Sequence, residues 1–302
     1  MTTQARKPTI DLDLQRIASD LFGSGMWLVV TALVVTYFST YAIMAEGPWN
    51  TDQDGHGPFI LIVAFLAFLI RYPAIAVLPK PDRIVWEGWA LLVVSLAVFA
   101  VGSSQEILLF DSGSQIPVAA SLILIFRGWA GLKAAWFPIF FLVFSIPLPG
   151  WLIDGATLPL KVMLSDQVVE LLYNAGYEIA QNGVILYIGQ YQLLVKDACV
   201  GLNSMHSLAA VGVLYIYLIK PQNWMHTALL VLFILPAAYA ANVLRVIILV
   251  LITFYLGDEA GQGFLHDFAG IVMFASALLL FFVFDNLIFG GLRWIQSRKK
   301  AA

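Results

Sequence analysis

The 302-residue chain contains a single cysteine, Cys199, in the segment Asp197-Ala198-Cys199-Val200-Gly201-Leu202-Asn203-Ser204. A thiol at the start of a helix is biased toward thiolate, because the first backbone N–H groups point at the sulfur. Asp197 is placed to cap that helix. Arg245 lies in Asn242-Val243-Leu244-Arg245-Val246-Ile247-Ile248, with apolar residues on both sides. An arginine within a hydrophobic run costs at least about 2.5 kcal/mol on insertion scales, so it calls for a partner or a task. Asn242, three residues earlier, shares its helical face and is placed to orient the guanidinium. His266 follows the acidic stretch from Gly257 to Gly263, and Gly270 falls four residues later on the same face, which permits close helix approach. Each residue alone has a simpler reading: a small buried hydrophobe for the cysteine, a snorkelling side chain for the arginine, a residue straddling water and lipid for the histidine. Together they form a chemical set. The imidazole takes the thiol proton, the thiolate attacks a carbonyl, and the guanidinium holds the developing oxyanion. The other histidines, His56, His206 and His226, fall in different loops and depths, so no metal site competes and no cofactor is expected.

The elements that must position this set are membrane spans. Of the residues, 61% are hydrophobic and 12% charged, against about 45–50% and 25% in a soluble domain. So few charges cannot cover a water-facing surface, and the apolar excess must face lipid. The lone cysteine excludes an intramolecular disulfide. The mixed polar residues before the first long apolar run, Arg6 to Asp20, give no sign of a cleavable signal peptide. The basic residues flank hydrophobic runs, which argues against nucleic acid as a partner.

Hydropathy predicts an all-α polytopic membrane protein with about eight transmembrane helices. Clear runs cover Met26–Met44, Phe59–Leu78, Gly88–Gly102, Leu202–Ile219, Met225–Leu256 and Phe268–Phe289. Two weaker runs, Ile116–Phe126 and Ala134–Trp151, lie between; the first is short enough to be re-entrant, and Pro236 is a candidate kink in the seventh. Lysine and arginine collect in alternate loops: Arg6, Lys7 and Arg16; Arg71, Lys80 and Arg83; Arg127 and Lys133; Lys220; and Arg293, Arg298, Lys299 and Lys300. The remaining loops hold Glu46, Asp52 and Asp54, then Glu106 and Asp111, then Asp258 and Glu259; Lys161 and Lys196 are exceptions. By the positive-inside rule both termini are cytoplasmic. The expected organisation is one membrane-embedded domain: a cytoplasmic segment (1–24), five spans (25–151), an outer loop (152–198), three spans carrying the candidate site (199–290) and a basic cytoplasmic tail (291–302).

The outer loop has its own pattern. Leu164, Val168, Leu171, Leu172, Ala175 and Ile179 recur at helical spacing, opposite Asp166, Glu170 and Asn174, which predicts a short interfacial helix. Val184–Val195 is rich in β-branched and aromatic residues, and Gly189-Gln190 interrupts it as a tight turn would, predicting a β-hairpin.

These motifs resemble the exosortase/archaeosortase family of membrane cysteine proteases and transpeptidases. The cysteine segment is similar to the family pattern A-C-[ST]-G-[LI]-x-S, Asn242 to Val246 to N-x-x-R-[VI], and His266 to Gly270 to H-x-x-x-G. His56-Gly57 and Phe141-Leu142-Val143-Phe144-Ser145-Ile146-Pro147-Leu148-Pro149 also match family features, so the resemblance runs from about Trp49 to Gly270. Val200 departs from it, standing where a small hydroxyl residue is usual. The resemblance implies a cysteine endopeptidase or transpeptidase of the cell inner membrane with its site on the outer face. It implies exported protein substrates bearing a C-terminal sorting signal: a short motif, a transmembrane helix and a basic tail, as in PEP-CTERM proteins. Cys199 would be the nucleophile, Arg245 the oxyanion or carbonyl stabiliser and His266 the general acid/base. Asn242, Asn203, Ser204, Asp197, Asp267 and His56 are supporting candidates, with helix packing or loop solvation as their plainer roles. Membrane lipid is the surrounding partner. The alternative reading is a non-catalytic membrane component or transporter of a polysaccharide export system, in which Arg245 binds an anion or a partner helix.

Overall fold

The structure, a computed structural model, describes residues 26–50, 55–148, 150–194, 201–221 and 223–301; side chains are described within these except at 26, 150–158, 201–204, 265–267, 269 and 291–301. The fold divides into two compact units, residues 1–147 and 148–302.

The first unit is helical. It comprises α1 (Met26–Glu46), a 3-10 turn (Pro48–Asn50), α2 (Gly57–Ala76), α3 (Trp86–Ser104), α4 (Leu108–Gly113), α5 (Gln115–Ala134), α6 (Trp136–Phe141) and a second 3-10 turn (Leu142–Ser145). Pro58 sits in the first turn of α2, where the missing N–H costs nothing. The expected short fourth run is in fact a long one: α4 and α5 together make a 27-residue apolar stretch, Leu108–Ala134, because Asp111, Ser112, Ser114 and Gln115 are buried and continue the span that hydropathy broke off at Ile116. The expected fifth run is the short one. Its helical part covers only Trp136–Ser145, ending before Pro147, which cannot continue a helix. The buried polar groups are satisfied among themselves. Tyr37 shares a hydrogen bond with Ser114 (2.8 Å), Thr40 donates to Asp111 (2.9 Å), Tyr41 donates to Gln115 (2.5 Å), and Gln115 donates to Ser145 (3.2 Å). At Gly102, α3 lies so close to α4 that an added Cβ would fall 2.8 Å from the Phe110 carbonyl carbon.

The second unit contains α7 (Gly150–Asn174), strands β1 (Ile179–Asn182), β2 (Ile185–Ile188) and β3 (Tyr191–Leu194), then α8 (Gly201–Ile219), α9 (Trp224–Leu256), α10 (Asp258–Asp267) and α11 (Ala269–Ala301). The expected hairpin is present: Ile188 pairs with Tyr191 across Gly189-Gln190, and Gly189 has φ +55°. It belongs to a three-stranded antiparallel sheet, because Asn182 also pairs with Ile185 across a second two-residue turn that starts at Gly183 (φ +62°). Gly183-Val184 is a Gly-X turn with glycine at the first central position, like Gly189-Gln190, and it adds the strand that the sequence reading left out.

The outer-loop helix is longer than expected, and its stripe is turned into protein. Leu164, Val168 and Leu172 of α7 form one core with Ile179, Leu186, Ile188 and Leu193 of the sheet and Val243, Val246 and Val250 of α9. Leu171 does not share that face and is 53% exposed. Ala175 and Ile179 are not on the helix at all: α7 stops at Asn174, Gly176 turns the chain at φ +93°, and Ile179 opens β1. Tyr177 shares a 2.9 Å hydrogen bond with Tyr255, which, ahead of burial, raises Tyr177 above the ordinary phenol value.

The acidic stretch after Leu256 is likewise not a loop. Gly257 (φ 91°, ψ 171°) makes the break, a conformation confined almost wholly to glycine. Asp258 and Glu259 then start α10, favoured by the positive end of the helix dipole. Pro236 lies inside α9, which continues to Leu256.

Among the described residues, six helical segments are long and apolar enough to cross a membrane, Trp27–Asn50, Gly57–Ala76, Trp86–Ser104, Leu108–Ala134, Trp224–Leu256 and Gly270–Gly290, and two apolar helices are shorter, Trp136–Ser145 and Met205–Ile219. The protein is a multi-pass membrane protein.

Candidate functional site

Arg245 is held on the inward face of α9. It is 6% exposed while its neighbour Leu244 is 42% exposed, so the guanidinium points into the helix assembly. One Nη lies 3.9 Å from the Met273 sulfur on α11, a weak acceptor. Beneath it, Ala238 and Ala241 of α9 pack with Leu208 of α8 and Met273 and Ala277 of α11. Small residues on α9 let the three helices converge just below the arginine. Asn242 is also buried, at 4% exposed. Its Oδ1 accepts no hydrogen bond among the described residues, so the orienting bond to Arg245 that the spacing suggested is not made through that oxygen. A buried amide oxygen left in this state costs about 1–3 kcal/mol.

The helices that follow the cysteine motif and carry the histidine motif both pack on α9. α8 runs antiparallel to α9. Leu208 clusters with Ala238, and a Cβ on Gly212 would approach Ile234 at 3.0 Å. Extended one residue for one to the start of α8, this antiparallel register pairs Gly201 with Arg245. Cys199 itself, with Asp197, lies in residues 195–200, outside the described residues; the chain resumes at Gly201. Asn203 and Ser204 lie in the first turn of α8, and their side chains are outside the described set.

α10 folds back along the end of α9, with Gly261 packed on Thr253. α11 continues downward, with Met273 opposite Arg245. His266 lies between these two contacts along the chain, five residues after Gly261 and seven before Met273. His266 belongs to α10 and not to the last span, and the side chains of His266 and Asp267 are outside the described set. A Cβ built on Gly270 meets nothing within 4 Å, so the expected close helix approach there is not made. His56 stands at the N-cap of α2 without a side-chain capping hydrogen bond, and a Cβ on Gly57 would collide with the Trp49 indole; a turn at Gly55-His56 leads into α2.

A second polar cluster went unnoticed in the sequence. At the other end of the same helices, His226 Nε2 of α9 lies 2.6 Å from Asp285 Oδ1 of α11, and Tyr215 of α8 donates to Asp285 Oδ2 (3.2 Å). Asp285 inside the last hydrophobic run was the available signal, since a carboxylate at membrane depth needs a partner.

Among the described residues no group of three or more metal-ligating side chains occurs. No curated protein and no solved structure matches the chain. The family model for transmembrane exosortases matches residues 49–283, a stretch that takes in all three motifs as well as His56 and the Phe141–Pro149 segment, and the chain therefore belongs to the transmembrane exosortase family.

Proposed function

We propose that this exosortase is a membrane cysteine endopeptidase or transpeptidase that cuts the C-terminal sorting signal of exported proteins at the outer face of the cytoplasmic membrane. The observation that carries the reading is the buried Arg245 of α9, turned toward α11, in a chain of the exosortase family that also carries the cysteine and histidine motifs. In this reading the chain crosses the membrane eight times with both termini cytoplasmic. Charge alternation along the sequence supports that topology. Counting about 20 residues of span from Trp224 at the inner end of α9 reaches Leu244, so Arg245 stands at the outer boundary of the hydrocarbon.

The steps follow from the residue chemistry. The anchor helix of the substrate brings its recognition motif to this boundary, and membrane confinement of both partners lowers the entropy cost of orienting them. Cys199 thiolate attacks the scissile carbonyl carbon, and Arg245 stabilises the resulting oxyanion. His266 takes the thiol proton and passes it to the leaving amine. The tetrahedral intermediate collapses to a thioester on Cys199 and releases the anchor as a free amine. Water, or an amine or hydroxyl acceptor, then attacks the thioester and restores the thiol.

The test is mass spectrometry of the C-terminus of a candidate substrate in cells carrying the wild-type chain or Cys199→Ala. Processing is expected to stop in the variant while the chain stays in the membrane. Unchanged processing without the thiol would reject the peptidase in favour of a non-catalytic or transport role.

A further inference from the structure

The first unit contains a cavity of about 520 Å³ between α1, α2, α5 and α6. Its walls are apolar, with Leu33, Phe65, Phe68 and Leu122 among them. Its two ends differ. Tyr41 and Gln115 line one end, joined by their own hydrogen bond, and Arg127 lines the other. Gln115 and Arg127 are twelve residues apart on α5, which sets the ends about 18 Å apart. That length compares with one leaflet of the hydrocarbon core, about 15 Å deep. The cavity is long enough for one extended hydrocarbon chain.

The arginine end is basic and rigidly built. Arg127 donates to the Leu78 carbonyl (3.0 Å), which ties α5 to the loop after α2. Immediately beyond it, Gly128 breaks α5 at φ +63° and Pro81 of the same loop packs against it. The loop thus holds Lys80 and Arg83, both exposed, beside the arginine mouth, with Asp82 as its one carboxylate. Three cations around the mouth of an apolar slot match a phosphate headgroup on a hydrocarbon tail, and basic pockets between transmembrane helices hold such headgroups.

We propose that this cavity is a binding site for one anionic glycerophospholipid. One acyl chain fills the slot toward Tyr41 and Gln115, and the phosphate lies among Arg127, Lys80 and Arg83. Its lining contains none of the residues of the cysteine, arginine and histidine motifs, and its test does not read peptidase activity.

The experiment is native mass spectrometry of the delipidated full-length chain, offered palmitoyl-oleoyl phosphatidylglycerol, palmitoyl-oleoyl phosphatidylcholine or undecaprenyl phosphate. The wild type is expected to retain one phosphatidylglycerol with a preference of at least about tenfold over phosphatidylcholine. The double variant Lys80→Gln/Arg83→Gln changes only exposed residues and is expected to lose most of that preference. Ala119→Trp, which projects a large ring into the slot, is expected to lose retention of every lipid. Equal retention of the two glycerophospholipids by the wild type overturns the proposal, as does a preference that survives the double variant. Stronger retention of undecaprenyl phosphate also overturns it, and would reassign the slot to an isoprenoid phosphate.

Discussion

At the scale of single residues, Arg245 separates activity from stability. Its guanidinium is buried, and a buried charge of this kind contributes little net stability once its desolvation is counted. Arg245→Met is therefore expected to leave the unfolding temperature in detergent unchanged or raised while cutting the processing rate by about 10²–10³, the usual cost of losing an oxyanion donor. Arg245→Lys keeps the charge but not the planar fork, and is expected to recover only a small part of the rate. Both follow from a time course of substrate cleavage set beside a thermal melt; a parallel loss of stability and rate would make Arg245 structural. The identities of the candidate residues were legible because a lone cysteine and an intramembrane arginine are rare and costly. Their surroundings were not. Met273 opposite Arg245, and the burial of Asn242 beside it, depend on how α9 and α11 rotate against each other. No one-dimensional pattern encodes that rotation.

At the scale of elements, two short devices hold the second unit together, one at each end of its helices. Gly257 lets α10 fold back on α9, and its backbone sits where an added Cβ is strained. Gly257→Ala is expected to cost about 1–3 kcal/mol and to lower processing by shifting His266. The same change in the exposed helix residue Glu259 is expected to do little, and comparing the two variants by cleavage rate and melting temperature checks the assignment. At the opposite end, the Asp285 carboxylate binds His226 and Tyr215 and so ties α8, α9 and α11. Asp285→Ala leaves the histidine buried without that partner and is expected to cost about 3 kcal/mol, read as a lower melting temperature. The hairpin was legible from the Gly-X pair at Gly189, and the helix of the outer loop from its periodicity. Their mutual packing was not, because Leu164, Val168 and Leu172 show only that one face is apolar, not that a sheet and not a bilayer covers it.

At the scale of the whole molecule, the proposed topology has a direct check in the single thiol. With one cysteine in the chain, a membrane-impermeant maleimide reports on Cys199 without background. Labelling is expected in intact spheroplasts, whereas a Cys199→Ala chain given a new cysteine at Ser297 is expected to label only after the membrane is opened. The reverse pattern would invert the protein and place its chemistry in the cytoplasm. Span count was the hardest feature to read, since hydropathy ended the fourth run at its buried polar residues and carried the fifth past its prolines. The length of α9 bears on something else. At 33 residues it measures about 50 Å, well beyond the roughly 30 Å of the hydrocarbon core, and its surplus is clasped by the sheet and α10. Arg245 is thereby pinned to a rigid post instead of floating with the lipid headgroups. Under the proposed function the protein becomes a ruler: its own helix length, and not the local thickness of the bilayer, sets how far above an anchored chain the blade can fall.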